Sequence, residues 1–315
     1  MPNFRPLDRS DTSSVHALVR RCELADDIPI VTPVEEIEEM FDEPHFQPAL
    51  DGWVIEVDDA IIGWGRIYHT PSGVGQERAY LLGDIDPRWR GQGIGRALLA
   101  RQIDRARAVL ASYEHALPGF IRTHAYDWRQ DALGLYEAAS MAAVRYSDEL
   151  IRPLDVVPPR PSGAEFTIHR WNEAHADPAR LVMNAAFADH WGSTPRDSEA
   201  WQTHLTSYGT RLDLSFVAFA GDEMIGGTTN FHVPEDEEVT DRRDGWIGML
   251  GVLRPWRKRG VASALIIESL HAFAEAGFTH AMLGVDSANP SGAYTLYTGL
   301  GFRPLHRSVT YELPM

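Results

Sequence analysis

The residues best placed to do chemistry lie at 250–265. Leu250, Gly251, Val252 and Leu253 are apolar enough for a buried strand, which Pro255 ends. Arg257, Lys258, Arg259, Gly260, Val261, Ala262 and Ser263 follow as a basic, glycine-containing turn, and apolar residues then recur at helical spacing through Leu265, Ile266, Leu270 and Phe273. A tight turn at a helix start aims several unpaired backbone N–H groups into one concavity, where the helix dipole adds positive potential. Such a concavity takes an anion, for example a pyrophosphate. Glycine at 260 lets backbone and ligand approach closely. Arg254, Arg257, Lys258 and Arg259 make a local positive spot in a chain of net charge −16.

That acidic balance argues against nucleic acid or an anionic membrane as the main partner. A length of 315 residues predicts two domains. With 44% hydrophobic and 23% charged residues, the composition is that of a soluble globular protein. No apolar run approaches the ~20 residues that span a bilayer, and the first residues lack the pattern of a secretory leader, so a cytoplasmic location is expected. The single cysteine, Cys22, excludes an intrachain disulfide and a cysteine-rich zinc site; it is expected to pack, and no metal is expected.

The elements that must position the turn read as two rounds of one order. Strands are predicted at 3–7, 52–57, 60–68, 78–85, 120–125 and 143–151, with helices starting at 11 and spanning 33–41 and 131–139. Between the strands at 78–85 and 120–125 lie Arg90, Gly91, Gln92, Gly93, Ile94 and Gly95, opening a helix that carries Leu98, Leu99, Ile103, Ala106 and Leu110. This is the turn at 257–262 in an earlier copy. A proline-rich linker at 153–164 separates domains at 1–152 and 165–315. The second round has strands at 165–170, 214–220, 224–233, 246–253, 280–286 and 302–313, and helices at 177–189, 197–207, 260–276 and 290–298. The acidic stretch 235–244 reads as an exposed loop. Arg90 aligns with Arg257 and Tyr136 with Tyr297, an internal duplication of an α/β unit with a mixed sheet.

Both turns resemble the Arg/Gln-x-x-Gly-x-Gly/Ala signature of the GNAT superfamily of N-acetyltransferases. Residues 289–302, which begin Asn289-Pro290-Ser291 and carry Ala293, Leu296, Tyr297, Gly301 and Phe302, are similar to that family's Asn-x-x-Ala-x-x-Leu-Tyr-x-x-x-Gly-Phe segment. A nucleotide-binding P-loop is excluded because no Gly-Lys-Ser/Thr follows, and a dinucleotide fingerprint by the glycine spacing. The resemblance spans the chain and implies two tandem domains, each a mostly antiparallel mixed sheet flanked by helices. It also implies acetyl-coenzyme A as donor and an amine as acceptor. Among tandem members, mycothiol synthases have segments similar to residues 183–188 and 250–252 here.

The resemblance further implies roles. The strand before the turn splays from its neighbour, exposing the backbone of Leu250, Gly251 and Val252 to the pantetheine arm. The amides of residues 257–263, and in the first copy of 90–95, hold the pyrophosphate. Asn289 contacts the pantetheine, and Tyr297 protonates the departing thiolate, chemistry open to a phenol of ordinary pKa near 10. The backbone N–H of Val252 or Leu253 would steady the oxyanion. Many relatives carry a glutamate base on this strand, but residues 246–253 contain no carboxylate; Asp244, His232 and Asp286 are the candidates. His190, Trp191, Trp201 and His232 are candidate acceptor-pocket residues. In the first copy Trp128 falls opposite Asn289, and Ser140-Met141 opposite Gly301-Phe302, so the second copy is expected to be catalytic. A small-molecule amine is the expected partner. The competing expectations are a non-catalytic acetyl-coenzyme A sensor and an interaction scaffold.

Overall fold

A computed structural model describes residues 2–113, 117–163, 165–188, 190–288 and 292–315. By contacts the chain forms two compact units, one of residues 1–146 with 308–315 and one of residues 147–307.

In chain order, the first unit contains β1 (Asn3–Pro6), α1 (Thr12–Ala25), α2 (Val34–Glu39), α3 (Pro48–Asp51), β2 (Gly52–Val57), β3 (Ala60–His69), β4 (Glu77–Ile85), α4 (Ile94–Ala111), β5 (Gly119–Tyr126) and α5 (Gln130–Ala138). Strand β6 (Ala142–Pro153) leads into the second unit. There follow β7 (Thr167–Arg170), α6 (Ala176–Ala186), α7 (Ser198–Thr206), β8 (Phe216–Ala220), β9 (Glu223–Phe231), α8 (Glu237–Thr240), β10 (Asp244–Val252), α9 (Val261–Glu275), β11 (His280–Asp286), α10 (Ala293–Gly299) and β12 (Arg303–Pro314).

Each unit carries the same mixed sheet. In the first, β1 through β4 pair antiparallel, β4 and β5 pair parallel, and residues 308–314 of β12 close the sheet antiparallel to β5. In the second, β7 through β10 pair antiparallel, β10 and β11 pair parallel, and residues 147–153 of β6 close it antiparallel to β11. The closing strand of each unit thus comes from the other half of the sequence. Residues 147–152 sit with the second unit and 308–315 with the first, although order along the chain groups them the other way. The hydrophobic pattern marks these segments as strands without naming their partners, because sheet pairing is non-local.

Two faces of each sheet are covered. In the second unit α9 buries Val261, Leu265, Ile266, Leu270 and Phe273 against Ile247, Val252 and Ile225. On the opposite face α6 and α7 bury Val182, Met183, Trp201 and Leu205 against Val217 and Met224. The alternation of β10 supplies both faces, as period two requires.

Two expected loops are more ordered than their composition implies. The proline-rich segment runs along α9: Leu154 is buried and donates from its N–H to Thr279 O at 3.0 Å, His271 Nε2 donates to Pro158 O at 2.9 Å, and Arg160 pairs with Glu268 at 2.9 Å. The acidic stretch is not an exposed loop. It holds a 3-10 turn at Pro234–Asp236, then α8, and Asp244 already begins β10. Asp236 and Asp244 are buried, and Arg242 compensates Asp244 at 2.9 Å. A buried carboxylate needs such a partner, which composition alone does not reveal.

Gly245 on β10 lies under the Phe273 ring, and a Cβ there would come within 2.7 Å of it. Phe273 is fully buried and cannot withdraw. Gly245→Ala is therefore expected to lower stability by about 1–3 kcal/mol through overpacking, measured as the shift in urea midpoint at constant m-value.

Candidate active site

Strand β10 runs antiparallel to β9 along its length, from Trp246↔Phe231 to Val252↔Gly226, with a bulge between Ile247 and Met249. Its parallel pairing with β11 covers only Asp244↔His280 to Ile247↔Leu283. Strand β11 continues to Asp286, following β6. Beyond Ile247 the two parallel strands part, and the edge of β10 facing away from β9 has lost its neighbour. A bulge adds one residue to a strand and sharpens its bend and twist, which is what parting requires. Leu250, Gly251 and Val252 lie in this parted stretch. Leu253 N–H donates to Ile225 O across the β9 side at 2.9 Å. Because backbone groups alternate along a strand, Leu250 and Val252 turn theirs to the gap. Leu253, one of the two expected oxyanion donors, is thereby committed to the sheet, and Val252 is not.

A 3-10 turn at Arg254–Trp256 leads from β10 into the basic turn. Lys258 adopts φ +61° and Gly260 φ +84°, and α9 begins at Val261 with Gly260 as its N-cap residue and no side-chain cap. The first intrahelical bond runs from Ala264 N–H to Gly260 O at 3.0 Å. The N–H groups of Val261, Ala262 and Ser263 therefore have no helical acceptor and converge at the positive end of the helix dipole. A Cβ on Gly260 would meet nothing within 4 Å, so the space before the helix is open and the glycine is required by its backbone angle.

The basic side chains do something different from the expected anion contact. Arg257 donates from Nε to Val252 O at 3.2 Å and from Nη2 to Ala186 O at 2.8 Å, lacing the turn to the end of β10 and to the C-terminus of α6. Arg259 lies over the Trp256 ring at 4.1 Å and pairs with Glu165. Lys258 is exposed. The cradle is made of backbone, and Arg257 holds it in shape.

The first unit repeats the turn closely. A 3-10 turn at Pro87–Trp89 precedes Arg90; Gly91 has φ +72°, Gly93 φ +82°, and Ala97 N–H donates to Gly93 O at 3.1 Å. Gln92 and Ile94 complete it, with Gly95 in the first turn of α4. Arg90 donates from Nε to Ile85 O at 2.9 Å, as Arg257 does to Val252. Parallel pairing between β4 and β5 also stops early, at Tyr80↔Arg122, yet β4 has no bulge against β3. Here the mouth of the gap carries an ionic cluster: Asp26 accepts from Arg90 at 2.5 and 2.8 Å and from Arg129 at 2.8 Å, and Trp128 Nε1 donates to Asp26 O at 3.1 Å. Trp128 also stacks on Tyr126 at 4.3 Å.

Tyr297 lies on α10, half-buried, with its ring edge-on to Phe302 at 6.3 Å. Burial raises its phenol to about 12, so it holds its proton throughout the physiological range. Tyr136, its counterpart on α5, packs against Tyr311 at 5.5 Å and is also raised by burial. Asn289 lies outside the described residues.

The three candidate bases are engaged elsewhere. Asp244 is at the far end of β10, bound to Arg242. His232 is buried, donating from Nδ1 to Asp244 O at 3.0 Å, with Nε2 3.3 Å from Glu237. Asp286 ends β11 and accepts from Ala288 N–H at 2.9 Å. Among the candidate pocket residues, Trp201 is core, its Nε1 donating to Ala176 O at 2.7 Å, while His190 is exposed beside Phe187. Trp191 is half-buried.

Sequence reasoning missed His204, on α7. Its Nε2 lies 3.0 Å from Thr229 Oγ1, and Thr229 is opposite Met249 at the bulge. Burial first, then the Arg196 guanidinium, lowers its pKa to about 4. A helical histidine carries no motif; only the packing of α7 on β9 brings it to this face.

A family model described as the acetyltransferase (GNAT) family matches residues 18–140 and 179–302. A mycothiol acetyltransferase of Salinispora arenicola is 30% identical over 284 residues, covering 86% of this chain and 83% of the relative. One from Frankia alni is 31% identical over 242 residues, covering 72% and 68%. A GCN5-related N-acetyltransferase from Sphaerobacter thermophilus superposes with TM-score 0.76 at 22% identity, covering 99% of this chain and 95% of that one. A tandem GNAT protein from the clavulanic acid biosynthesis pathway gives 0.72 at 17%, covering 100% and 98%.

Two measurements check the geometry. Gly260→Ala should cost about 1–2 kcal/mol from its left-handed backbone alone, while Lys258→Gly, which makes the turn like that at Gly91, should gain a few tenths up to about 1 kcal/mol; paired urea titrations read both. Acid adds a second signature. Between about pH 6.5 and 4 the unfolded chain protonates His204 and the folded chain does not, so stability falls as pH falls through that window, by at most about 3 kcal/mol. In urea titrations at pH 7, 6, 5 and 4, His204→Gln should lack that share of the decline.

Proposed function

The chain belongs to the acetyltransferase (GNAT) family and is an acyltransferase, and on that premise we propose that it transfers the acetyl group of acetyl-coenzyme A directly to a primary amine of a small molecule. One observation carries the reading: in the second unit a parted strand edge, an open amide cradle and a buried neutral phenol follow one another along residues 248–297. The cradle suits a pyrophosphate, since its donors are backbone amides at a helix start with nothing in front of them. The backbone of Leu250 and Val252 would pair with the pantetheine amides. The Val252 N–H would steady the tetrahedral oxyanion, and Tyr297 would protonate the leaving thiolate. Burial raises phenol and thiol alike, since each anion loses water, so the proton stays on Tyr297 until the C–S bond breaks.

Two observations support the second unit as the catalytic one. The first unit lacks the bulge, and its gap mouth is bridged by the cluster around Asp26. The names of the relatives favour one acceptor, the cysteinyl pseudo-disaccharide of mycothiol synthesis. Against it stands Trp246, stacked on Phe231 at 5.5 Å, in a strand that in many relatives carries a glutamate. A sensor that binds acetyl-coenzyme A without turnover is the remaining alternative.

Release of coenzyme A thiol, measured with acetyl-coenzyme A against aminoglycosides, polyamines, amino acids, amino sugars and cysteinyl pseudo-disaccharides, tests these readings. Turnover with at least one amine is expected; binding of acetyl-coenzyme A with no release for any would leave only the sensor. With the active amine, Tyr297→Phe should lower kcat about 100-fold or more, and Tyr136→Phe less than about threefold. Equal losses would place catalysis in both units.

A further inference from the structure

We propose that His204 and Thr229 form the proton relay that deprotonates the acceptor amine, an assignment that rests on the acetyl-transfer reading above. The amine must reach the thioester from one face of the β9–β10 sheet beside the gap. The α9 face is closed by the core containing Ile247, Val252 and Leu265. On the face of α6 and α7, Gly251 is covered by Met183 and Ala186, but Gly248 is exposed and Trp246 and Met249 are only half-buried. Entry is therefore at the bulge. Thr229 is the β9 residue opposite Met249 there, and His204 Nε2 is 3.0 Å from its hydroxyl.

Other groups around this face do not compete for the role. Arg196 reaches Met249 Sδ with Nη1 at 3.4 Å, and a guanidinium accepts no proton. Among the described residues it is also the one charged group that bears on the His204 titration; α6, α7, β9 and β10 set no carboxylate against the ring. The imidazole is thus neutral at physiological pH, able to accept a proton and quick to release it to solvent.

The step balances with the His204 proton on Nδ1. The ammonium R–NH3+ gives a proton to Thr229 Oγ1 as the Thr229 hydroxyl proton passes to His204 Nε2, leaving R–NH2, an intact threonine and an imidazolium that discharges to water. The amine lone pair then forms the C–N bond, the C–S bond breaks, and the thiolate takes the Tyr297 proton. The second nitrogen proton returns to the Tyr297 phenolate. The sum is R–NH3+ and acetyl thioester giving acetamide, thiol and one proton. His204 thereby supplies what the carboxylate-free strand at 246–253 cannot.

The test is the pH profile of kcat/KM with an amine turned over by the wild type, compared for His204→Gln, which keeps a hydrogen bond to Thr229, and Thr229→Val, which keeps its shape. At pH 7 both variants should lose about 100-fold. The deficit should shrink to within threefold near pH 10, where the amine arrives neutral, and the acetyl-coenzyme A Kd by calorimetry should stay within twofold, showing an intact fold and cradle. A loss under threefold at pH 7, an equal loss at every pH, or a parallel loss of acetyl-coenzyme A binding overturns the relay. An active wild type with an equally active His204→Gln defeats this assignment alone. A wild type that acetylates no amine defeats the acetyl-transfer reading and the relay with it.

Discussion

The second unit depends on a pairing that β10 cannot complete. The strand keeps β9 on one side for its full length but holds β11 only as far as Ile247, where the bulge turns it away. A buried strand with backbone groups on one edge unpaired is costly unless something polar fills the gap. The fold carries this cost at one place and closes every other edge of the cleft. Arg257 takes the carbonyl of Val252, and Leu253 returns to β9. What is left open is a short run of backbone donors and acceptors ending at a helix start, a shape that recognises an extended amide-bearing chain with an anion at its end.

The basic turn works through this constraint and not through its charge. Four cations in six residues look like an anion site made of side chains, yet Arg257 is spent on carbonyl oxygens and Arg259 on an indole face and a carboxylate. Guanidinium groups suit this task because their planar fork satisfies two carbonyls from different elements at once. The attraction for an anion then comes from N–H groups fixed in direction by the helix, which need no reorganisation when the ligand arrives. Arg90 performs the same lacing at Ile85, so the first unit kept the architecture of the turn while its gap acquired an ionic bridge through Asp26.

How much of this was legible in the sequence follows from how local each feature is. The turn, its glycine, the flanking strand and helix, and the duplication are contiguous patterns and were readable from residues 90–95 and 250–265. The parting of β10 from β11 was expected only through resemblance, since nothing in Gly248 or Met249 signals a bulge. The exchange of closing strands was invisible because apolar alternation at 143–151 and 302–313 suits either sheet equally. Asp244 and His232 looked available because spacing hides partners; Arg242 and the Asp244 carbonyl occupy them. His204 was hidden for the opposite reason, having no neighbour in sequence that marks it.

The division between the copies can be argued from the same residues. Duplication leaves two clefts with one set of backbone requirements, and side chains then decide what each cleft does. In the first unit Asp84 takes the strand place of Gly251, its carboxyl accepting from Trp64 Nε1 at 3.1 Å and held neutral-favouring by burial. In the second unit a Cβ at Gly251 would strike Met183 Sδ at 2.6 Å, so α6 lies directly on the strand. Glycine there keeps the strand flush with α6 and leaves the neighbouring Leu250 and Val252 edge free of side-chain competitors for its hydrogen bonds. A carboxylate at that point brings its own donors with it, Trp64 beside the strand and the arginines around Asp26, and these fill the cleft with internal partners. The two units therefore differ less in fold than in whether the unpaired strand edge has been given something inside the protein to bind.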